Sequence, residues 1–355
     1  MTNDIIILGA GASKTEGAPL QKDLIKKFYQ LINEETIFQE KPKSLNDLKS
    51  FFINFFGITG NEPPNFDSYP TFEEVLAIIE IALERKEYYA EYIKTNQSLN
   101  SMKRNLIFLI SEVIKRSLIN HNDYHNRLIQ RLIRKKLLDS TSFISLNYDI
   151  IIDNRLFELT DDNPSYRIDY GVDFYPDENL KEYKNIVKSI KLYKLHGSLN
   201  WLYCHSCVSL MLTLRRKGAS TIVDRDVPCE NPNCNANYQP ILIPPSYNKV
   251  ISNYYLQQVW HKAETALKNA ERIFICGYSF PDADIHIKYL LKRAELYNND
   301  GFEIYIMNWH IGKSNHIHEE EKKRFQRFFR NKDKIHYTRI SFQEFCEKGI
   351  YNLRY

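Results

Sequence analysis

The chain has 355 residues, 43% hydrophobic and 26% charged, the balance of an ordinary globular protein with room for one large domain or two smaller ones. Its formal net charge of +4 is too small to argue for a nucleic-acid partner, and no apolar run approaches the ~20 residues that cross a bilayer. The N-terminus runs straight into an aliphatic stretch without a basic region or cleavage site, which points to a cytoplasmic protein, and six cysteines in such a setting point to metal ligands or buried thiols rather than disulfides.

Asp4 is followed by four aliphatic residues, Ile5 to Leu8, and then by Gly9, a pattern that predicts a buried parallel strand. Gly9, Ala10, Gly11, Ala12 and Ser13 form a turn of small residues. From Pro19 onward, Leu20, Leu24, Phe28, Leu31 and Ile32 recur at helical spacing. Strand, glycine turn and helix in one unit is a nucleotide-binding layout, because glycines let backbone approach a pyrophosphate and helix N–H groups favour its charge. The third glycine of the dinucleotide fingerprint falls at Lys14, so the same stretch reads equally as a tight turn.

Residues 20–140 read as a mostly helical insertion. Thr71 with Glu74 makes a capping box, followed by the apolar stripe Val75, Leu76, Ile79, Ala82 and Leu83. The stretch from Pro42 to Pro70, with Gly57, Gly60, Pro63 and Pro64, reads as loop-rich and suited to a lid. Residues 103–136 predict one or two helices with nine Lys or Arg against Glu112 and Asp123, a solvated face or else a docking surface for an acidic partner or nucleic acid.

From Ser142 the pattern alternates. Ser142–Leu146 predicts a strand ending in Asn147, Tyr148 and Asp149, and Ile190–Leu195 one ending in His196, Gly197 and Ser198. Arg272–Cys276 leads into Gly277, Tyr278 and Ser279, and Glu303–Met307 into Asn308. Ligands of open α/β sheets bind beyond the carboxyl ends of strands, so five strands finishing in Gly, Asn, Asp, His or Ser point to one site. Each residue alone also has a structural reading, Asn147 or Asp149 as a helix cap and His196 or Asn308 as a turn residue.

Cys204 and Cys207 form a C-x2-C pair and Cys229 and Cys234 a C-x4-C pair, with twenty-one residues between them. Paired thiolates on two short loops match a structural tetrahedral zinc module over residues 200–240, with His205 as a substitute ligand for the wider pair. Cys276, in a strand, and Cys346, in a terminal helix, read as buried thiols.

In this order the chain resembles the sirtuin (silent information regulator) superfamily, and within it the prokaryotic sirtuin-like branch of anti-phage defence proteins. The resemblance rests on GAGAS at 9–13, Gly17-Ala18-Pro19, Asn147-Tyr148-Asp149, His196-Gly197, the four cysteines, Gly277-Tyr278-Ser279 and Asn308, and so spans the chain. It implies an α/β fold, a Rossmann-like parallel sheet with a helical insertion and a small zinc module, as a single NAD-binding domain over 1–355. It also implies that Gly9, Ala10, Gly11 and Ser13 hold the phosphates, that Asn147 sits by the nicotinamide ribose, and that Asp149 receives the carboxamide. His196 would be the ribose-side base, Gly277 and Ser279 phosphate or ribose contacts, and Asn308 an adenosine-ribose contact. The family's deacylases carry glutamine at Leu146 and an aliphatic residue at Tyr148.

Cleavage of the N-glycosidic bond of NAD+ releases neutral nicotinamide and leaves an oxocarbenium-like ribose, which calls for polar groups that hold the ribose and direct an acceptor rather than for a strong acid. A histidine that titrates near neutrality and an uncharged asparagine suit that task. Three readings follow: an NAD+ hydrolase that depletes the cofactor in bacterial anti-phage defence, an NAD-dependent protein deacylase, and a non-catalytic nucleotide-sensing subunit. The chain after the second cysteine pair, Pro240 to Ser246, contains Pro244-Pro245 in place of a Phe-Gly-Glu stretch and is a poor edge for peptide addition, which favours water as acceptor. The helical insertion suggests homo-oligomerisation or docking of a partner defence protein such as a motor ATPase.

Overall fold

The computed structural model describes residues 3–34, 42–58, 69–89, 93, 95–118, 122–175, 188–213, 227–242, 253–282, 284–298, 301–308 and 310–349. In chain order β1 (Asp4–Leu8) leads into α1 (Ala10–Lys14), α2 (Leu24–Glu34), α3 (Pro42–Phe56), α4 (Phe72–Arg85), α5 (Asn96–Ser117) and α6 (Tyr124–Arg134). Then follow β2 (Thr141–Ser145), α7 (Ile151–Asp162), β3 (Tyr166–Asp169), β4 (Lys188–Lys194), β5 (Gly197–Tyr203), β6 (Leu210–Leu212) and β7 (Gln239–Leu242). The chain closes with α8 (Tyr254–Lys268), β8 (Arg272–Cys276), α9 (Ile285–Tyr297), β9 (Glu303–Met307), α10 (Asn315–Gln326), β10 (Ile335–Tyr337) and α11 (Phe342–Lys348).

Seven strands form one parallel sheet in the order β10-β9-β8-β1-β2-β4-β3. β1 and β2 are buried along their whole length, as expected of runs covered by helices on both faces. The strand order reverses at β1, which has β2 on one side and β8 on the other, so a crevice opens at its carboxyl end. This is the α/β, Rossmann-like sheet that the alternating pattern predicts. The five expected strands all lie in it. Edge strands β3 and β10 escape sequence reading because they are short and half-buried, and the glycine turn holds the helical segment α1 rather than irregular chain.

Helices α2 to α5 close a second core around Phe28, Phe52, Phe72 and Leu76, which Tyr148, Leu199 and Leu242 also enter. The helical lobe is thereby packed against the chain that leaves β2. The capping box is present, with Thr71 Oγ1 accepting from the Glu74 N–H at 3.3 Å and Glu74 accepting from the Thr71 N–H at 2.6 Å. The expected loop from Pro42 is instead α3 up to Phe56. Proline stands at the first helical position, where it has no N–H to lose, and Leu48, Phe51 and Phe52 are buried on one side. Gly60, Pro63 and Pro64 lie outside the described residues. Three basic residues of α5 and α6 are engaged within the protein: Lys103 with Glu80 at 2.6 Å, Arg127 with Asp123 at 2.7 Å, and Arg131 with the carbonyls of Glu347 and Lys348. Among the described residues no helix is long and apolar enough to cross a membrane.

Candidate active site and metal centre

Strand register brings the polar turns to one level. Leu8 lies between Ser145 and Cys276, Ser145 pairs with Lys194, and Cys276 pairs with Met307. Asn147 and His196 therefore emerge on adjacent strands, each two residues beyond a matched pair, and Gly9, Gly277 and Asn308 emerge beside them. They line a cavity of about 790 Å³, together with Ala10, Gly11 and Ser279. The helical lobe supplies another wall through Leu20, Gln21, Lys22, Thr71 and Glu73.

The glycines are required by a crossing of two chain segments. The Gly9 N–H donates to the Cys276 carbonyl at 2.9 Å, the Gly11 N–H to the Gly277 carbonyl at 2.8 Å, and the Ala12 N–H to the Gly9 carbonyl at 2.9 Å. A Cβ on Gly9 would lie 2.7 Å from the Gly277 carbonyl oxygen, and one on Gly277, at φ +63°, 2.1 Å from the Ala12 nitrogen. The N–H groups of Gly9 and Gly11, expected to hold phosphates, are thus committed to β8 and its turn. Cationic groups on the cavity wall come from Lys14, Lys22 and Lys313, the last paired with Glu321 at 2.6 Å.

Asn147 spends both amide protons on the protein: Nδ2 donates to the Gly9 carbonyl and to Ser13 Oγ, each at 2.9 Å. What its side chain has left for a ligand is the carbonyl oxygen, an acceptor. Ser13 Oγ in turn donates to Asp149 Oδ2 at 2.7 Å, and Asp149 Oδ1 accepts from the Ile151 N–H at 3.1 Å. Ser13 and Asp149, expected to touch the ligand, are buried and absent from the described cavity lining; they fix Asn147 and start α7. His196 is 2% exposed yet reaches the cavity, with its ring 6.1 Å from that of Tyr148. Its strand end is held by Trp260, whose Nε1 donates to the Leu195 carbonyl at 2.8 Å.

Burial pushes the hydroxyls of Tyr148 and Tyr278 well above the usual phenol range, so both are neutral donors. Tyr278 donates to Asp284 Oδ2 at 2.7 Å, and Asn308 Nδ2 donates to the Tyr278 carbonyl at 3.2 Å. Asp284, Glu73 and Lys313 line the cavity without having been expected there. Glu73 sits within the Thr71–Glu74 capping box, whose signal marks a helix start and not a ligand, and only the fold brings the three residues together.

The four cysteines converge at the small antiparallel sheet β6-β5-β7. Cys204 and Cys234 sulfurs are 3.6 Å apart, those of Cys207 and Cys229 3.4 Å, and all four lie within 4.8 Å of one another. Zinc–sulfur bonds of about 2.3 Å place tetrahedral sulfurs roughly 3.8 Å apart, so the four thiols are positioned to bind one zinc ion. A hydrogen bond from Ser209, aided by Cys229 and Cys204, lowers the Cys207 thiol to about 6. At Cys234 the Ala236 N–H is outweighed by desolvation and the hydrogen bonds with the other three cysteines, which raise that thiol to about 11, so within the cluster Cys207 is the sulfur nearer the thiolate form. His205 stands outside the cluster, its ring 4.7 Å from that of Tyr203. Cys276 and Cys346 are buried.

No protein-family model and no curated protein matches the chain. Among solved structures it is similar to Sir2 in complex with the inhibitor EX-527, 2'-O-acetyl-ADP-ribose and a deacetylated p53 peptide, at TM-score 0.40 and 14% identity over 97% of this chain and 91% of that one. It is similar also to Sir2 with a p53 peptide and NAD+, at TM-score 0.41 and 14% identity over 97% and 90%. A third similar structure is a Sir2 homologue with ADP-ribose, at TM-score 0.36 and 14% identity over 86% and 79%.

Proposed function

We propose that this chain is an NAD+ hydrolase that cleaves NAD+ to nicotinamide and ADP-ribose, and that it acts in bacterial anti-phage defence by depleting the cofactor. The observation that carries the reading is the pairing of Asn147 and His196 on adjacent strand ends in a cavity whose register and glycine crossing fix both positions. With its amide protons committed, Asn147 offers an oxygen that orients a hydroxyl or a water. His196 takes the proton released when water adds to the anomeric carbon as the N-glycosidic bond breaks. Nicotinamide leaves with the bonding electron pair, so NAD+ and water yield nicotinamide, ADP-ribose and one proton.

In this reading Lys14 and Lys22 carry the pyrophosphate contacts that the committed N–H groups of Gly9 and Gly11 cannot, with Ala10 at the first position of α1 beside them. Ser279 and Asn308 serve the adenosine half, and the acidic side chains of Glu73 and Asp284 favour a ribose that becomes cationic. Zinc holds the β6-β5-β7 module together, and that module anchors β5, the strand directly after His196. Homo-oligomerisation and a partner defence protein belong to the same proposal, with the helical lobe as the docking element.

Pro240 to Leu242 pair with β5 as β7, at the edge of the small sheet, and Ile243 to Ser246 lie outside the described residues. Incubation with NAD+ and an acyl-lysine peptide, followed by mass spectrometry, tests the choice of acceptor. ADP-ribose formed without any requirement for peptide is expected, and O-acyl-ADP-ribose formed in step with deacylated peptide would refute the hydrolase.

A further inference from the structure

We propose that Lys194 and Asp153 are positioning residues, a buried ion pair that fixes Asn147 relative to His196. The activity arm of the test rests on the hydrolase reading above; the structural arm does not. The Lys194 side chain is 0% exposed and its Nζ donates to Asp153 Oδ2 at 2.9 Å and to the carbonyl oxygen of Asp149. Asp153, also 0% exposed, accepts at Oδ1 from the Tyr170 hydroxyl at 2.9 Å and from Asn200 Nδ2 at 3.3 Å. These groups come from β4, α7, β5 and the chain leaving β3, and they converge behind the cavity rather than on its described lining.

From Asp149 the chain of hydrogen bonds continues outward, through Ser13 Oγ at 2.7 Å to Asn147 Nδ2 at 2.9 Å and on to the Gly9 carbonyl. Lys194 itself lies two residues before His196. One ammonium group therefore ties the loop that carries Asn147 to the strand that ends in His196. Apolar pairs of similar volume often replace buried ion pairs without loss of stability, so folding alone does not call for a charged pair here. An apolar pair cannot donate to the Asp149 carbonyl. That donation is the contribution specific to Lys194, and its consequence is a loop held at one spacing from the histidine, where small misplacements are costly for rate.

The test is the double variant Lys194→Met/Asp153→Leu in the full chain, read by thermal melting, hydrogen exchange and nicotinamide release. A folded variant is expected to exchange about tenfold or more faster across residues 146–151 while residues 4–8 stay protected. Its kcat on NAD+ is expected to fall about tenfold or more with KM changed by less than about threefold. If the double variant fails to fold, Lys194→Met/Asp153→Asn carries the same comparison, since the amide oxygen at 153 still accepts from the Tyr170 hydroxyl while the donation to the Asp149 carbonyl is lost. Unchanged exchange at 146–151 in a folded variant overturns the assignment whether or not the parent cleaves NAD+. Faster exchange with parental kcat overturns it as well. A parent that releases no nicotinamide refutes the hydrolase reading instead, and exchange alone then decides between a positioning pair and none.

Discussion

Gly277→Ala tests whether the glycine turn exists for a chain crossing. Gly277 has φ +63°, and a Cβ there would meet the Ala12 nitrogen at 2.1 Å and the Gly11 carbonyl carbon at 2.4 Å, both backbone atoms of α1. Left-handed backbone costs a non-glycine residue about 1–2 kcal/mol, and forcing atoms into packed structure adds about 1–3 kcal/mol. The sum is about 2–5 kcal/mol, toward the upper end because neither neighbour is a side chain able to swing away. Gly57, at φ +68° with nothing within 4 Å of an added Cβ, is the internal control and should cost only the backbone part, about 1–2 kcal/mol. In a chain of 355 residues the melting temperature should fall by roughly 3–7 °C for Gly277→Ala and by roughly 1–3 °C for Gly57→Ala. Differential scanning calorimetry on the two variants and the parent makes the comparison. If Gly277→Ala melts no lower than Gly57→Ala, the crossing is not what requires glycine.

Three further outcomes are expected. Asn147→Ala and His196→Ala should each lose NAD+ cleavage by about 10²-fold or more while retaining the parental circular dichroism spectrum, and parental turnover by either folded variant would remove it from the catalytic set. Elemental analysis of reduced protein should find about one zinc per chain, and Cys204→Ala or Cys229→Ala should lower the yield of folded protein more than its specific chemistry. Glu16, buried beneath the glycine turn, accepts from the His125 N–H at 2.6 Å and contacts Nδ1 at 2.7 Å; burial raises its carboxyl, but these hydrogen bonds and the histidine's positive field outweigh burial and hold it below the ordinary 4.5. A lowered acid stabilises the fold above its unfolded value and loses that contribution as pH falls, so Glu16→Gln should lower the melting temperature at pH 6 by an amount worth about 1–3 kcal/mol, with the gap closing below pH 4.5; a gap that widens in acid would contradict the pairing.

What could be read from the sequence follows from which forces act locally. Ile5 to Leu8 declare a buried strand because burial on both faces demands an aliphatic run, and the same holds for the chain before Asn147 and Gly277. Thr71 and Glu74 declare a helix start because the capping bonds lie within one turn. Pro42 misled, since proline begins a helix as readily as it breaks one. Ser13 and Asp149 stand off the described cavity lining because the direction of their side chains depends on each other across 136 residues of sequence. Lys194 gave no signal at all. A lysine near the end of a strand reads as solvated until the fold supplies Asp153 and the Asp149 carbonyl around it.

The central claim is tested most directly by incubating the purified full-length protein with NAD+ alone, beside Asn147→Ala and His196→Ala, and following free nicotinamide and ADP-ribose by chromatography. Equal amounts of nicotinamide and ADP-ribose from the parent, and neither from the variants, is the predicted result. NAD+ that binds to the parent but stays intact, or cleavage that survives in both folded variants, would contradict the account.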